Sequence, residues 1–232
     1  MFLASAHEPD ETWIASAVER AAAQCFTSSV RKVDFKKSSP TYRAKSGVFD
    51  VIEIPQTQYL MIDGAGDPSQ AQAYPDAIQT LYPVAYTIKA ASKKADKDYV
   101  VPPLSGLWWA DDLASFTTAR DRSKWLWTMM MMVPDWISRA DFATAALLAK
   151  KKDLPSFEKL RLDCLTEGTC VQTLHLGPYD AEGPTIARMH EEFMPVNGLK
   201  PTGKHHEIYL SDPRRVAPEK LRTILRQPVV AV

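Results

Sequence analysis

The sequence predicts an α+β fold in which a strand, helix, strand, strand unit occurs twice. Three observations predict it. That order of elements appears in the first half of the chain, it returns in the second half, and 232 residues with 45% hydrophobic side chains can bury a domain-sized core. The repetition lies in the order of elements and hardly at all in the residues themselves.

In the first unit, Tyr59-Leu60-Met61-Ile62 reads as a strand stopped by the turn residues Asp63-Gly64-Ala65-Gly66-Asp67-Pro68. A long helix follows from about Gln70 to Ala95, with Ala77, Leu81, Val84, Ala85, Ile88 and Ala91 on one face. Pro75 and Pro83 predict an N-terminal break and a kink in it. Tyr99 to Ala110 and Lys124 to Val133 read as the next two strands. The second unit runs Thr169 to Leu176 (strand), Gly177-Pro178-Tyr179-Asp180 (turn), Glu182 to Phe193 (helix), then strands Lys204 to Leu210 and Leu221 to Gln227. A helical connector, Phe142 to Leu165 with a break at Pro155, joins the units. Ahead of them, Thr12 to Cys25 carries Trp13, Ala17, Ala21 and Cys25 at helical spacing. The predicted partition is an N-terminal extension, 1–30, and one domain, 31–232, with modules at about 48–135 and 166–230 and the connector at 136–165.

Charge and motif content narrow the function. Lys plus Arg and Asp plus Glu both number 28, so no global field exists to collect nucleic acid or an acidic membrane, and a charged ligand must be held locally. Between Arg31 and Lys45 six basic residues, interleaved with Phe35 and Tyr42, face the single acid Asp34. This is the pattern of a nucleic-acid arm and equally of a solvated lead-in, and no recognised binding motif follows. The longest apolar stretch, Trp125 to Val133, is far shorter than the ~20 residues of a membrane-crossing helix, and the acidic N-terminus does not read as a signal peptide. Cys25, Cys164 and Cys170, an odd set without a CxxC pair, fit free thiols in a reducing compartment. A soluble, cytoplasmic protein is expected.

Strand periodicity assembles the candidate site. Trp125, Trp127, Met129 and Met131 share one side of their strand, and Trp108 and Trp109 lie on a neighbouring one. They form either core or an aromatic wall. In Lys204-His205-His206-Glu207-Ile208-Tyr209-Leu210, Ile208 and Leu210 occupy an apolar face while His205, Glu207 and Tyr209 occupy the other. On a solvated face Glu207 is an ordinary strand carboxylate. Walled in by indoles, it attracts a cation, and burial raises its pKa toward that of a base. Tyr179 and Glu182 stand where the second unit's strand turns into its helix, so Glu182 is either a helix cap or a second carboxylate aimed at the cleft. No cofactor or metal is expected. Gly64-Ala65-Gly66 lacks the dinucleotide fingerprint, adjacent His205, His206 and Glu207 point to opposite faces, and no GxSxG elbow occurs.

Five blocks carry a family resemblance: Tyr59-Leu60-Met61-Ile62-Asp63-Gly64, Gly106-Leu107-Trp108-Trp109, Lys124 to Met130, Gly177-Pro178-Tyr179-Asp180, and above all His205 to Arg215. From about Lys32 to Val229 the chain resembles the GyrI-like small-molecule-binding family, and more closely its stand-alone bacterial branch. The resemblance implies two pseudo-symmetric βαββ modules with antiparallel sheets, outer helices and a ligand cleft between the modules. It also implies a central acid on a late strand for cationic, aromatic ligands, and that acid matches Glu207. Some stand-alone members are similar to hydrolases that open the cyclopropane of cyclopropanoid DNA-alkylating natural products. The implied catalytic groups are Glu207, Glu182 and Tyr179, and the implied ligand-binding groups are Trp108, Trp109, Trp125, Trp127, Met129 and Tyr209. The expected partner is a hydrophobic or cationic aromatic small molecule. No helix-turn-helix pattern occurs, so direct contact with nucleic acid is not expected, nor is contact with a membrane. A non-catalytic multidrug-sequestering protein and a gyrase-interacting protein are the alternatives, and monomer and homodimer both stay open.

Overall fold

The two predicted units build one antiparallel sheet, joined edge to edge by the strands that carry Trp108 and Glu207. The computed structural model describes residues 32–111 and 121–232. The helix predicted at Thr12–Cys25, and Cys25 itself, lie outside the described residues. The strands are β1 (Asp50–Ile54), β2 (Thr57–Ala65), β3 (Leu104–Trp109), β4 (Leu126–Met132), β5 (Arg161–Leu165), β6 (Gly168–Leu176), β7 (Leu199–Pro201), β8 (His205–Tyr209) and β9 (Arg222–Ala231). Their order is β1-β6-β9-β8-β3-β4-β2-β5, with the short β7 paired to β9. The first module is therefore β5-β2-β4-β3 and the second β1-β6-β9-β8. Each contains one strand from the other half of the chain: β1 precedes the first module yet pairs with β6, and β5 precedes the second yet pairs with β2.

Helices cover one face of this sheet. After a single turn, α1 (Phe35–Ser38), the long α2 (Ala73–Lys94) packs over β2 and β4, burying Leu81, Val84 and Ile88 against Leu60, Ile62, Trp127 and Met129. Burying one such side chain is worth about 1.5–3 kcal/mol. Pro75 sits in the first turn, where a missing N–H is harmless, and Pro83 is accommodated inside an unbroken helix. The second module carries α4 (Gly183–Ala187), which continues as a π-helical stretch, Arg188–Phe193, and a last turn, Met194–Val196. It buries Met189 and Met194 against Val171, Leu225 and Val229.

Several boundaries differ from the sequence reading. The connector is not helical throughout. A capping box of Ser138 and Asp141 starts α3 (Arg139–Lys150), but Arg161–Leu165 is a strand, because β2 offers it a ladder of partners that outweighs local pattern. β3 starts at Leu104 rather than near Tyr99, since Pro102 and Pro103 cannot donate to a ladder. β2 runs on through Gly64 because Gly64 makes room for a neighbour: a Cβ there would lie 2.0 Å from the Trp127 ring.

The basic segment is neither a free arm nor a purely solvated one. It lies across the helix-free face of the sheet, where Tyr42 and Ala44 pack on Leu174, Ile208 and Ile224, while Lys36, Lys37, Arg43 and Lys45 are exposed. Beneath it a buried polar network forms. Arg226 Nη1 donates to Glu167 Oε2 at 3.1 Å, Arg226 Nη2 to the Thr41 carbonyl at 2.6 Å, and His206 Nδ1 to Glu167 Oε1 at 2.9 Å.

Candidate functional site

The chain's two modules leave a broad cleft of about 2080 Å³ on the helix-bearing side of the sheet, between α2 and α4 and over the β3–β8 junction. Register fixes its floor. Gly106 of β3 stands directly opposite Glu207 of β8, and Trp108 opposite His205. Alternation then turns His205, Glu207 and Tyr209 toward the helices, and His206 and Ile208 toward the other face.

Glu207 is the central acid. Its side chain is 14% exposed, and its Oε2 accepts the Tyr209 hydroxyl at 2.8 Å. The Glu182 carboxyl, arriving from the turn ahead of α4 and itself buried, is hydrogen-bonded to the same group. Burial pushes the Glu207 pKa up to about 7, against the hydrogen bonds from Tyr209 and Glu182, which pull it down. At neutral pH Glu207 is therefore near its midpoint, with the Glu182 carboxyl hydrogen-bonded beside it. His205 Nε2 lies 3.9 Å from Glu207 Oε1, and burial drops the His205 pKa to about 3, so this imidazole is neutral and supplies no counter-charge.

The other predicted residues divide. Tyr179 comes from the one-turn helix Tyr179–Ala181, packs edge-on against Tyr209 at 5.4 Å between ring centroids, and is held protonated by burial, its pKa pushed up to about 12. Glu182 makes no side-chain cap bond to α4, and its carboxyl is hydrogen-bonded to Glu207 instead. Trp125 is half-buried on the cleft wall, edge-on to Trp108 with ring centroids 5.9 Å apart. The remaining four do not form the wall that spacing predicts. Trp127 and Met129 are fully buried beneath α2, because the helix sits on that end of β4. Trp109 alternates to the opposite face, packing with Tyr59, Met61 and Met130, and touches only the cleft rim, with Lys204 Nζ 3.3 Å above its ring. Trp108 is only 4% exposed, so little of its ring is open to a ligand.

Three cleft residues were missed. Tyr74 of α2 is hydrogen-bonded to Tyr209 and packs edge-on against Trp127, and Tyr82 lines the cleft two helical turns further on. The signal was present as Tyr74, Ile78 and Tyr82, spaced by four on one helix face. His190, in the π-helical stretch, also faces the cleft. Among the described residues no group of three or more His, Cys, Asp or Glu could hold a metal ion, and no helix is long and apolar enough to cross a membrane.

Residues 48–230 match the model of the GyrI-like small molecule binding domain. The chain belongs to that family. An uncharacterized conserved protein from Listeria innocua is 41% identical with a TM-score of 0.77, over 86% of this chain and 100% of that one. A hydrolase from Listeria innocua is 40% identical with a TM-score of 0.73 over the same shares. The C-terminal domain of EcmrR, 12% identical with a TM-score of 0.51 over 80% of this chain and 98% of that one, shares the fold alone. No curated protein matched the chain. Within the GyrI-like frame, then, this protein binds small molecules, and its buried acids lie on the floor of the cleft between its modules.

Proposed function

We propose that this GyrI-like protein takes up flat, polycyclic aromatic molecules in the cleft and hydrolyses those that carry an activated cyclopropane. The observation that carries the reading is the Glu182–Glu207 pair: two buried, hydrogen-bonded carboxyls beside Tyr209 and Tyr179 in an aromatic cleft. Such a pair can supply a base and an acid at once. Its likeness over most of its length to a hydrolase from Listeria innocua supports catalysis over simple capture.

Trp125, Tyr74 and Tyr82 supply ring faces and edges for stacking, and the cleft excludes most water from the acid pair. The ionised Glu207 removes a proton from one water as its oxygen bonds to the cyclopropane methylene. The breaking C–C bond sends its electron pair into the conjugated ring system, and the former carbonyl oxygen becomes a phenolate. Tyr179, kept protonated by burial, donates a hydrogen bond to that oxygen. Glu182 delivers the proton that makes it a phenol. One proton leaves the pair and one enters it, and passage of that proton from Glu207 to the hydrogen-bonded Glu182 restores the starting state.

The test is incubation with a cyclopropanoid compound and mass spectrometry of the product. The reading predicts a single-water adduct and a fall in rate of about 10²–10⁴-fold for Glu207→Gln, which keeps shape and removes the base. An unchanged compound recovered from a 1:1 complex would instead establish sequestration. The carboxylate set among aromatic rings favours that second reading for lipophilic cations.

A further inference from the structure

Trp108 was expected to stack on a ligand, but burial leaves little of its ring for that task. Its polar atom has a different partner. The indole Nε1 donates to the Tyr209 hydroxyl oxygen at 3.0 Å, and the Tyr209 hydroxyl lies 2.8 Å from Glu207 Oε2. The Tyr74 hydroxyl is in hydrogen-bond contact with the same Tyr209 group.

Donor and acceptor chemistry gives this chain a direction. An indole N–H can only donate, so the Tyr209 oxygen accepts from Trp108. An ionised carboxylate can only accept, so the Tyr209 proton goes to Glu207 Oε2. The Tyr74 hydroxyl, able to play either part, is left as a second donor to Tyr209. Glu207 Oε2 thereby has its hydrogen supplied by Tyr209, and the proton shared with Glu182 belongs on Oε1. Without the indole N–H, one corner around the Tyr209 oxygen is empty and its hydroxyl is free to turn toward Tyr74.

The indole reaches this position because of Gly106, the residue opposite Glu207 across the β3–β8 ladder. A Cβ at Gly106 would lie 2.8 Å from Trp108 Nε1 and 3.2 Å from Met129 Sδ. Any side chain would push the ring edge away from Tyr209. The pair Gly106 and Trp108 therefore acts as one device: the first clears the space, and the second places a donor in it.

We propose that Trp108, seated by Gly106, is a positioning residue that commits the Tyr209 proton to Glu207 Oε2 and so keeps the proton of the acid pair on its Glu182 side. The proposal rests on Glu207 being the ionisable centre of the site and does not require turnover. The titratable and charged groups around that centre are Glu182 and Tyr179 from the turn before α4, Tyr74 from α2, and His205 and Tyr209 from β8. His190 of the π-helical stretch adjoins His205, and the Asp212–Arg214 ion pair stands at the cleft wall.

The experiment follows carboxyl carbon-13 resonances of glutamate-labelled protein through a pH titration, with Glu207 assigned by its loss in Glu207→Gln. Trp108 is replaced by its benzothiophene analogue, which keeps the shape of the ring and substitutes sulfur for the N–H. The expected result is a Glu207 midpoint raised by about one pH unit, the scale of one charge-assisted hydrogen bond, with the thermal midpoint nearly unchanged. Gly106→Ala should move the midpoint in the same direction. The same analogue at Trp127, whose Nε1 instead donates to the Gly66 carbonyl at 3.3 Å, should leave it in place. An unmoved or lowered midpoint at Trp108, or an equal rise at Trp108 and Trp127, overturns the proposal. A wild-type Glu207 that titrates like an ordinary carboxyl would overturn the reading of Glu207 as the base. The Trp108 shift would then be measured from that lower midpoint and decided by the same criteria.

Discussion

Two neighbouring residues of β8, His206 and Glu207, face opposite sides of the sheet and meet opposite electrostatic solutions to burying an acid. On the helix-free face, Glu167 is 2% exposed, and burial alone would raise its pKa. His206 and Arg226 outweigh that and hold it at about 2. Burial lowers the His206 pKa against the pull of Glu167, while Arg226, always charged, carries the ion pair. On the cleft face, Glu207 has a second carboxyl and phenols for company, and burial wins. An acid matched by a guanidinium is locked in one charge state over the whole physiological range. One matched by another acid changes state near neutrality, which is what proton transfer at neutral pH requires. The first arrangement fixes a charge inside the fold; the second leaves one that can change near neutral pH.

The comparison breaks most visibly if the guanidinium is removed. Arg226→Met leaves Glu167 buried without its counter-charge, and a loss of roughly 3–5 kcal/mol in urea-unfolding stability is expected. No comparable loss should follow Glu207→Gln, because the amide stays hydrogen-bonded and sheds a charge the site disfavours.

A smaller effect sharpens the same contrast through pH. The Glu207 pKa is raised from 4.5 to about 7 on folding, so the folded state binds the extra proton between those values and stability falls as pH rises through that window. Above it the full cost of the buried charge is present. Glu207→Gln should therefore raise the thermal midpoint at about pH 8 and change it little near pH 4. Glu167 has the opposite sign. Its pKa falls from 4.5 to about 2, so its contribution is present above the unfolded value and is lost as pH drops through that range. Scanning calorimetry of the wild type and of Glu207→Gln across pH measures the difference between these two acids.

Much of this was legible in the residues. Alternation in β8 separated His205, Glu207 and Tyr209 from His206 and Ile208, and the repeated order of elements gave the two modules. Register and burial were not legible. Period-two alternation put Trp125, Trp127 and Met129 on one face, but only the position of α2 over β4 decides that Trp127 and Met129 are covered while Trp125 stays at the cleft. The Glu182–Glu207 contact joins a loop to a strand far away in sequence and has no local signature. The exchange of β1 and β5 between modules is equally non-local, which is why β5 was hidden inside an apparently helical connector.

Infrared difference spectroscopy near neutral pH tests most directly whether the cleft holds a shared proton. The account predicts a protonated carboxylic-acid band at about pH 6 that diminishes as pH rises through about 7 and is absent from Glu207→Gln. A wild-type spectrum with every carboxyl ionised at pH 6, identical to that of Glu207→Gln in the acid region, would contradict it.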